Sequence, residues 1–327
     1  RLANEGLTPD QLLTHESIEN ALRVLLAIGG STNAVIHLTA IAGRVGKEVS
    51  LKTLNRLSDS TPLLVNLKPS GAHYMEHFFT SGGLGAVLRE LKPLLHLNCL
   101  DISGQSLEER LKKEDSYVNH QVIRPLNDPI EPQGGLVALF GSLAPQGAIL
   151  KRSAADSSLF ERKGRAIVFN SLEDLSNRID DSKLEVKQDD FLILQNAGPR
   201  SGTGMPESGY LPIPAKLSKA GVKDMVRISD ARMSGTAFGT IILHVTPEAS
   251  VGGPLGLVRT GDIIELSVSK RRLDLNVSEN ELKIRRDEFK QNPEMKENNA
   301  KRGYAWLYQN HVMQADEGCD FDFLKAK

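Results

Sequence analysis

The sequence predicts an α/β chain, mostly helical in its first part and strand-dominated in its second. Three observations carry this. Apolar residues recur at helical spacing early in the chain, as in Ile18, Leu22, Leu25 and Leu26. A segment rich in Pro, Asn, Asp and Gly, Arg124 to Gly135, then interrupts the pattern and marks the boundary between two parts. Beyond it the apolar residues fall into short β-like runs separated by turns.

The elements follow in order. Thr8-Pro9 is an N-cap with Pro at the first helical position. Gly29-Gly30 ends the first long helix, and Ser31 or Thr32 caps the next. The apolar face of that second helix is Ala34, Leu38, Ile41, Ala42 and Val45, closed by Gly46. Thr61-Pro62 opens a short apolar run, Leu63 to Leu67, that reads as a strand. A helix is expected around Leu84 to Leu95, and Ser106 with Glu109 forms a capping box for one through Lys113.

After the boundary, strands are expected at Leu136 to Phe140, Ala148 to Lys151, Arg165 to Phe169 and Phe191 to Gln195. Four more are expected at Met225 to Ile228, Thr240 to Val245, Asp262 to Val268 and Leu273 to Val277. Short helices follow Ser171 and Ser278, the latter with Glu281 as a second capping box. Gly303 to Ala315 reads as a helix with Trp306 and Leu307 turned inward.

The bulk numbers narrow the function. The chain has 327 residues, enough for two domains, with 40% hydrophobic and 25% charged residues. Lys+Arg is 40 and Asp+Glu 41, a balance that argues against nucleic acid as a partner. Ala21 to Ile28 is interrupted by Arg23 and stops at Gly29-Gly30, so no run reaches the length of a membrane span. No signal peptide is visible, and the chain begins with Arg1 rather than Met, so a fragment or processed product is expected. Cys99 and Cys319 lie far apart and outside any CxxC spacing. By themselves they cannot hold a zinc ion or an iron–sulfur cluster; they read as packing thiols of a reducing compartment.

Four Gly-rich segments stand out: Gly29 to Ala34, Gly198 to Glu207, Ser229 to Thr236 and Pro247 to Pro254. Glycines let backbone N–H groups approach an anion, and each segment adds hydroxyls, a carboxylate or a guanidinium. Such loops suit a ligand that is anionic and rich in hydroxyls; any one of them alone reads more readily as a tight turn. Walker A, dinucleotide-binding and nucleophile-elbow patterns are missing. His73 and His77 have metal-compatible spacing without an HExxH motif and read as surface or core histidines. His244 sits in an apolar run and is expected to find its partners locally.

At Ile228 to Thr240, followed by His244-Val-Thr-Pro-Glu-Ala and Gly252-Gly-Pro-Leu, the chain closely resembles the dihydroxy-acid/phosphogluconate dehydratase family. Ala27 to His37, Gly141 to Pro145, Gly204 to Glu207 and Arg271 to Leu275 look like further family motifs in the family's order. The resemblance covers about Leu12 to Leu324. Ser229 to Ser234 and the tail Gln314 to Leu324 are similar to the sugar-acid branch, the aldonate (arabinonate or xylonate type) dehydratases.

The resemblance implies residues 1–130 as the C-terminal part of an α/β N-terminal domain and 131–327 as a β-rich swivelling domain of aconitase-like type. It implies a hydro-lyase converting a 2,3-dihydroxy acid to a 2-oxo-3-deoxy acid. It implies Ser234 as the base, Glu207 as a Mg²⁺ ligand, and Arg232, Thr236, Ser31, Thr32 and Asn33 as substrate contacts. An iron–sulfur cluster is implied as well, with its cysteines and most Mg²⁺ ligands expected upstream of Arg1. The chain alone is therefore expected to be inactive. The expected partner is a small hydroxy acid, in a cytoplasmic homo-oligomer, or a mitochondrial one if a targeting segment precedes it. Two alternatives stay open: a dihydroxy-acid dehydratase of branched-chain amino-acid biosynthesis, and an inactive fragment or binding module.

Overall fold

The computed structural model describes residues 2–202, 204–207, 211–234, 237–291 and 300–326. Its centre is an eight-stranded mixed sheet in the order β1-β2-β6-β5-β4-β3-β7-β8. The strands are β1 (Val137–Leu139), β2 (Gly147–Leu150), β3 (Glu161–Phe169), β4 (Phe191–Leu194), β5 (Arg227–Ser229), β6 (Ile241–Thr246), β7 (Ile263–Ser267) and β8 (Arg272–Leu275). Each coincides with an expected run, within a few residues at the ends.

The four central strands, β3 to β6, are mutually parallel, while β1, β2, β7 and β8 pair antiparallel at the flanks. Parallel strands covered on both faces need apolar residues on both, and β4 reads Phe-Leu-Ile-Leu, all buried. Successive residues enter opposite cores, as the two-residue period of a strand requires. Val168, Ile193, Ile228 and Ile242 face one core; Ile167, Leu192 and Leu243 face the other. Because β3 to β6 run the same way, the loops after β4, β5 and β6 leave from one edge of the sheet. Ligands of open α/β sheets bind at that carboxyl edge.

The helical part packs against this sheet. Helix His15–Ala27 is capped by Thr14, which accepts from Ser17 N at 3.2 Å; Ser50 caps Leu51–Ser60. Leu22, Leu26, Leu54 and Leu57 bury against Leu136, Ala138 and Ile149, so this core crosses the Pro- and Gly-rich segment. Asn55 strengthens the seam. Its amide donates to Ala138 O at 2.9 Å and accepts from Ala138 N at 2.8 Å.

Three local expectations need correction. Leu63 to Leu67 forms isolated bridges, Leu63 with Glu131 and Val65 with Ile123, rather than a ladder. Its partner segment carries Pro125, Pro129 and Pro132, which cannot donate a continuous row of N–H groups. The C-terminal helix is Gly303–His311, and Trp306 is 43% exposed, its ring edge-on to His311 at the surface. The helix stops early because the chain becomes extended at the buried Val312, whose carbonyl takes the Arg200 Nε–H at 2.8 Å. Finally, the helix after Ser278 runs 13 residues, Glu279–Gln291, and the helices Met75–Thr80 and Ala215–Lys219 were not anticipated.

Asn55 is 4% exposed, so its removal strands a buried N–H and a buried C=O of β1. Asn55→Ala is expected to cost about 2–4 kcal/mol, read by urea denaturation. A loss under about 0.5 kcal/mol would show that the seam does not depend on this amide.

Candidate active site

The four Gly-rich segments converge, and two buried carboxylates tie three of them together. Asp230, just after β5, accepts from Ala197 N at 3.0 Å and Ala249 N at 2.8 Å. It thereby joins the loops that follow β4 and β6. Glu248 accepts from Arg200 N through both oxygens, at 2.9 and 3.1 Å, and from Gln314 Nε2 at 2.9 Å. Gln314 Oε1 in turn takes Glu248 N. Gly198 is required beside it, since a Cβ there would sit 2.0 Å from Glu248 Oε2.

The remaining segment, Gly29 to Ala34, reaches the site through Asn33, at the start of helix Asn33–Arg44. Its Nδ2 donates to Glu207 Oε1 at 2.8 Å and to Met233 O at 3.1 Å. Arg232 adds a second link between the same two loops, donating Nε–H to Met205 O at 3.0 Å. Ser234 and Glu207 consequently line one cavity of about 530 Å³, with Ser218, Lys223, Arg227 and Met233. Arg227 is committed to structure: it pairs with Asp224 at 2.9 Å and donates to Leu211 O and Phe238 O. Cavities of about 740 Å³ (near Asp59, Arg152 and Arg271) and about 570 Å³ (near Lys47, Asp316 and Asp320) contain neither Ser234 nor Glu207.

The remaining expected contacts are placed less directly. Ser31 Oγ accepts from Asn33 N at 3.2 Å, and Thr32 is buried at the helix start without a side-chain cap bond. Neither lines the cavity. Thr236 lies outside the described residues. His73 and His77 pack edge-to-face, ring centroids 5.5 Å apart, with His77 exposed at the surface.

Burial dominates the electrostatics. It pushes the Asp230 carboxyl up to about 7 against its two N–H donors, and it raises Glu248 against the Gln314 and Arg200 donors. His244 overturns its expectation. Both ring nitrogens are buried with no hydrogen-bond partner, and burial, with the nearby Arg232 guanidinium, pushes the ring down to about 3. The residue takes φ 57°, where the β2–β6 register shifts between Gly147 and Ile149. The bulge turns the ring out of the normal alternation and away from carbonyl partners in the ladder.

Glu207 and Asn33 offer hard oxygen donors. Asn33 Oδ1 is buried without a partner, which fits one edge of a Mg²⁺ shell. Among the described residues no group of three or more His, Cys, Asp or Glu could complete that shell. The cysteines do not fit an iron–sulfur cluster. Burial pushes Cys319 up to about 12, with its Sγ 3.4 Å from Met205 Sδ, and also raises Cys99 beside the Asn20 amide. The braces Asp230, Glu248 and Gln314 were not singled out from sequence. For Asp230 and Glu248 the signal was a carboxylate inside a Gly- and Ala-rich loop, where small neighbours leave backbone N–H groups open; Gln314 carried no such signal.

Asp230 also makes a pH signature. Its folded value near 7 exceeds its ordinary 3.8, so its contribution to stability is full below about 4 and is lost as pH rises toward 7. His244, depressed from 6.5 to about 3, contributes in the opposite sense and is lost as pH falls. Asp230→Asn removes the first effect, so its stability is expected to rise with pH between about 4 and 6.5 more steeply than wild type. The difference should approach about 1.4 kcal/mol per pH unit, measured by urea melts across that range. Parallel profiles would show that Asp230 is ionised in the folded protein.

Comparison with known proteins places the chain in a family. The family model for the dihydroxy-acid/6-phosphogluconate dehydratase N-terminal region matches residues 1–110, and its C-terminal counterpart matches 121–319. An L-arabinonate dehydratase of Rhizobium leguminosarum is 46% identical over 328 residues, covering 100% of this chain and 56% of the relative. A 6-deoxy-6-sulfo-D-gluconate dehydratase of Pseudomonas putida is 49% identical over 97% of this chain and 55% of its own length. A dihydroxy-acid dehydratase of Ignicoccus hospitalis is 40% identical, covering 97% and 56%. The chain thus spans somewhat over half the length of the curated relatives it matches. With both family regions matched in order across the chain, it belongs to the dihydroxy-acid/6-phosphogluconate dehydratase family.

Proposed function

We propose that this chain is the C-terminal part of a hydro-lyase that dehydrates a sugar acid, a 2,3-dihydroxy carboxylate, to its 2-oxo-3-deoxy acid. The observation that carries the reading is the shared cavity of Ser234 and Glu207, cross-linked through Asn33. A nucleophilic oxygen and a hard carboxylate on opposite loops are what an elimination next to a carboxylate needs. The sugar-acid branch is favoured by 46% and 49% identity to sugar-acid dehydratases against 40% to a dihydroxy-acid dehydratase.

In this reading Ser234 Oγ, as the alkoxide, takes the C2 proton, because a neutral hydroxyl is too weak a base. The electrons of the C2–H bond form the C2–C3 double bond, the C3–O bond breaks, and the oxygen leaves as hydroxide, which takes a proton from solvent to become water while Ser234 returns its proton to solvent. The enol then tautomerises at C2 to the oxo acid. Arg232 offers its remaining N–H groups to the substrate carboxylate. Thr236 would supply a polar contact to the hydroxyls, whereas Ser31 and Thr32 do not line the cavity and Asn33 acts through Glu207 and Met233. Glu207, steadied by Asn33, would hold Mg²⁺, which when bound neutralises charge on the carboxylate and C2 oxygens.

An iron–sulfur cluster finds no ligand pair in Cys99 and Cys319, so this chain alone is proposed to be inactive. The division at residues 130 and 131 is proposed as the domain boundary. The complete protein is proposed as a cytoplasmic homo-oligomer acting on a small molecule. No helix among the described residues is long and apolar enough to cross a membrane.

Assayed as the complete protein, a pentonate such as L-arabinonate should exceed 2,3-dihydroxyisovalerate in kcat/KM by about ten-fold or more. The reverse preference would move the protein to the branched-chain reading. Ser234 is exposed, so as a mere turn residue its loss would leave turnover intact and cost at most about 1 kcal/mol. As the base, Ser234→Ala should lower kcat by roughly 10²–10⁴ with the thermal midpoint little changed. Turnover and C2 proton exchange within a few-fold of wild type would remove Ser234 from that role.

A further inference from the structure

A second polar cavity has no part in the chemistry just described. It lies where the helical part, the Pro- and Gly-rich segment and the sheet meet, has a volume of about 740 Å³, and holds neither Ser234 nor Glu207. Small-molecule sites span roughly 300–1,000 Å³.

Two guanidiniums line it: Arg152, just after β2, and Arg271, in the β7–β8 turn. The hydrogen bonds of Arg152 all go to uncharged acceptors. Nε–H reaches Gly134 O at 2.6 Å, Nη1 reaches Gln133 Oε1 at 2.8 Å and Nη2 reaches Ser58 Oγ at 2.9 Å. Each Nη keeps a second N–H. Arg152 is half-buried and forms no ion pair among the described residues, so burial works against its charge with no bonded anion to offset it. Arg271 gives Nη2 to both oxygens of Asp59, which leaves Nε–H and Nη1 without a partner among the described residues. It does so from φ 55°, a left-handed position that a turn usually gives to glycine. It also opens the Arg271 to Leu275 motif, which the proposed elimination does not use.

A row of contacts joins the two arginines. Gln133 accepts from Arg152, and its Nε2 donates to Asp59 Oδ1 at 3.5 Å. One carboxylate thus serves two guanidiniums, and the cluster is left with positive charge in excess. Ser70 Oγ and Ser153 Oγ, on the same wall, are 3.1 Å apart; only one of them donates in that pair, so the other keeps its proton for the cavity. Leu63, Val137, Phe160 and Val268 supply an apolar wall, and the exposed Glu131 and Glu161 complete the lining.

We propose that this cavity binds an organic monocarboxylate with an apolar body, its head held between Arg152 and Arg271 and its carbon frame laid along Leu63, Val137 and Phe160. Guanidinium forks match the two oxygens of a carboxylate. A single negative charge balances the excess on the cluster, whereas a phosphate dianion overshoots it and meets Glu131 and Glu161. An alcohol leaves the guanidiniums without an anion. The site is independent of the proposed elimination, because no residue of the Ser234 cavity takes part in it.

The test titrates hexanoate into the complete protein by calorimetry, with inorganic phosphate and 1-hexanol as contrasts and thermal melts as the check on folding. Hexanoate should bind saturably with a Kd of about 1 mM or tighter. Phosphate and 1-hexanol should bind at least about ten-fold more weakly. Arg152→Met and Arg271→Gln should each weaken hexanoate by roughly ten-fold, the size of one lost hydrogen bond to a charged group. Arg232→Met, which removes the cation nearest Ser234 in sequence, should bind hexanoate within about two-fold of wild type.

No saturation by about 10 mM hexanoate would overturn the proposal. So would affinity unchanged in both Arg152→Met and Arg271→Gln, or lost in Arg232→Met, since the carboxylate would then sit elsewhere. Equal binding of 1-hexanol would refute the role of the charge, and preference for phosphate would refute its size. If the arginine variants fail to fold, a crystal structure of the hexanoate complex decides, by whether the head lies between Arg152 and Arg271.

Discussion

The carboxylate of Asp230 is the constraint on which the rest of the site depends. It sits fully buried at the end of a central parallel strand and takes one backbone N–H from each neighbouring loop. Loops at the carboxyl edge of a parallel sheet have no ladder partners of their own, so their backbone groups need another acceptor. A single residue supplies it for two loops at once. Glu248 repeats the device one layer out, joining the same loop system to Arg200 and to Gln314 of the C-terminal segment. The cavity with Ser234 and Glu207 forms where these fixed loops leave a gap.

These braces come at an electrostatic cost that shapes the chemistry around them. Carboxylates taken out of water resist ionisation, and His244 resists protonation for the same reason. This dry layer of Asp230, Glu248 and His244 lies behind Ser234, which is itself exposed, and Arg232, which is half-buried.

Much of this was legible in the residues. The strands were visible because apolar runs such as Phe191 to Leu194 are bounded by turn residues, and local pattern is what a strand's existence depends on. Ser234 and Glu207 were singled out through family resemblance, and both line one cavity. Other features depend on distant partners and left no local trace. Trp306 looked inward because its helix was read past His311, whereas Val312 breaks away to meet Arg200, 112 positions distant. Leu63 to Leu67 looked like a strand, but its partner is too rich in proline to ladder. His244 looked satisfied because nothing in an apolar run announces a bulge. The acceptors for Ala197 N and Ala249 N belong to tertiary structure alone.

The Asn33 amide reaches residues 174 and 200 positions further along the chain. Contacts of such sequence separation are entropically late to form, since nearly the whole intervening polypeptide must be ordered before the ends can meet. The helical core and the sheet can each gather from nearer neighbours, but the cavity has no local version of itself. A nascent or partly unfolded chain therefore cannot hold a half-built centre. The two ends of the site meet only once the chain between Asn33 and Met233 is ordered.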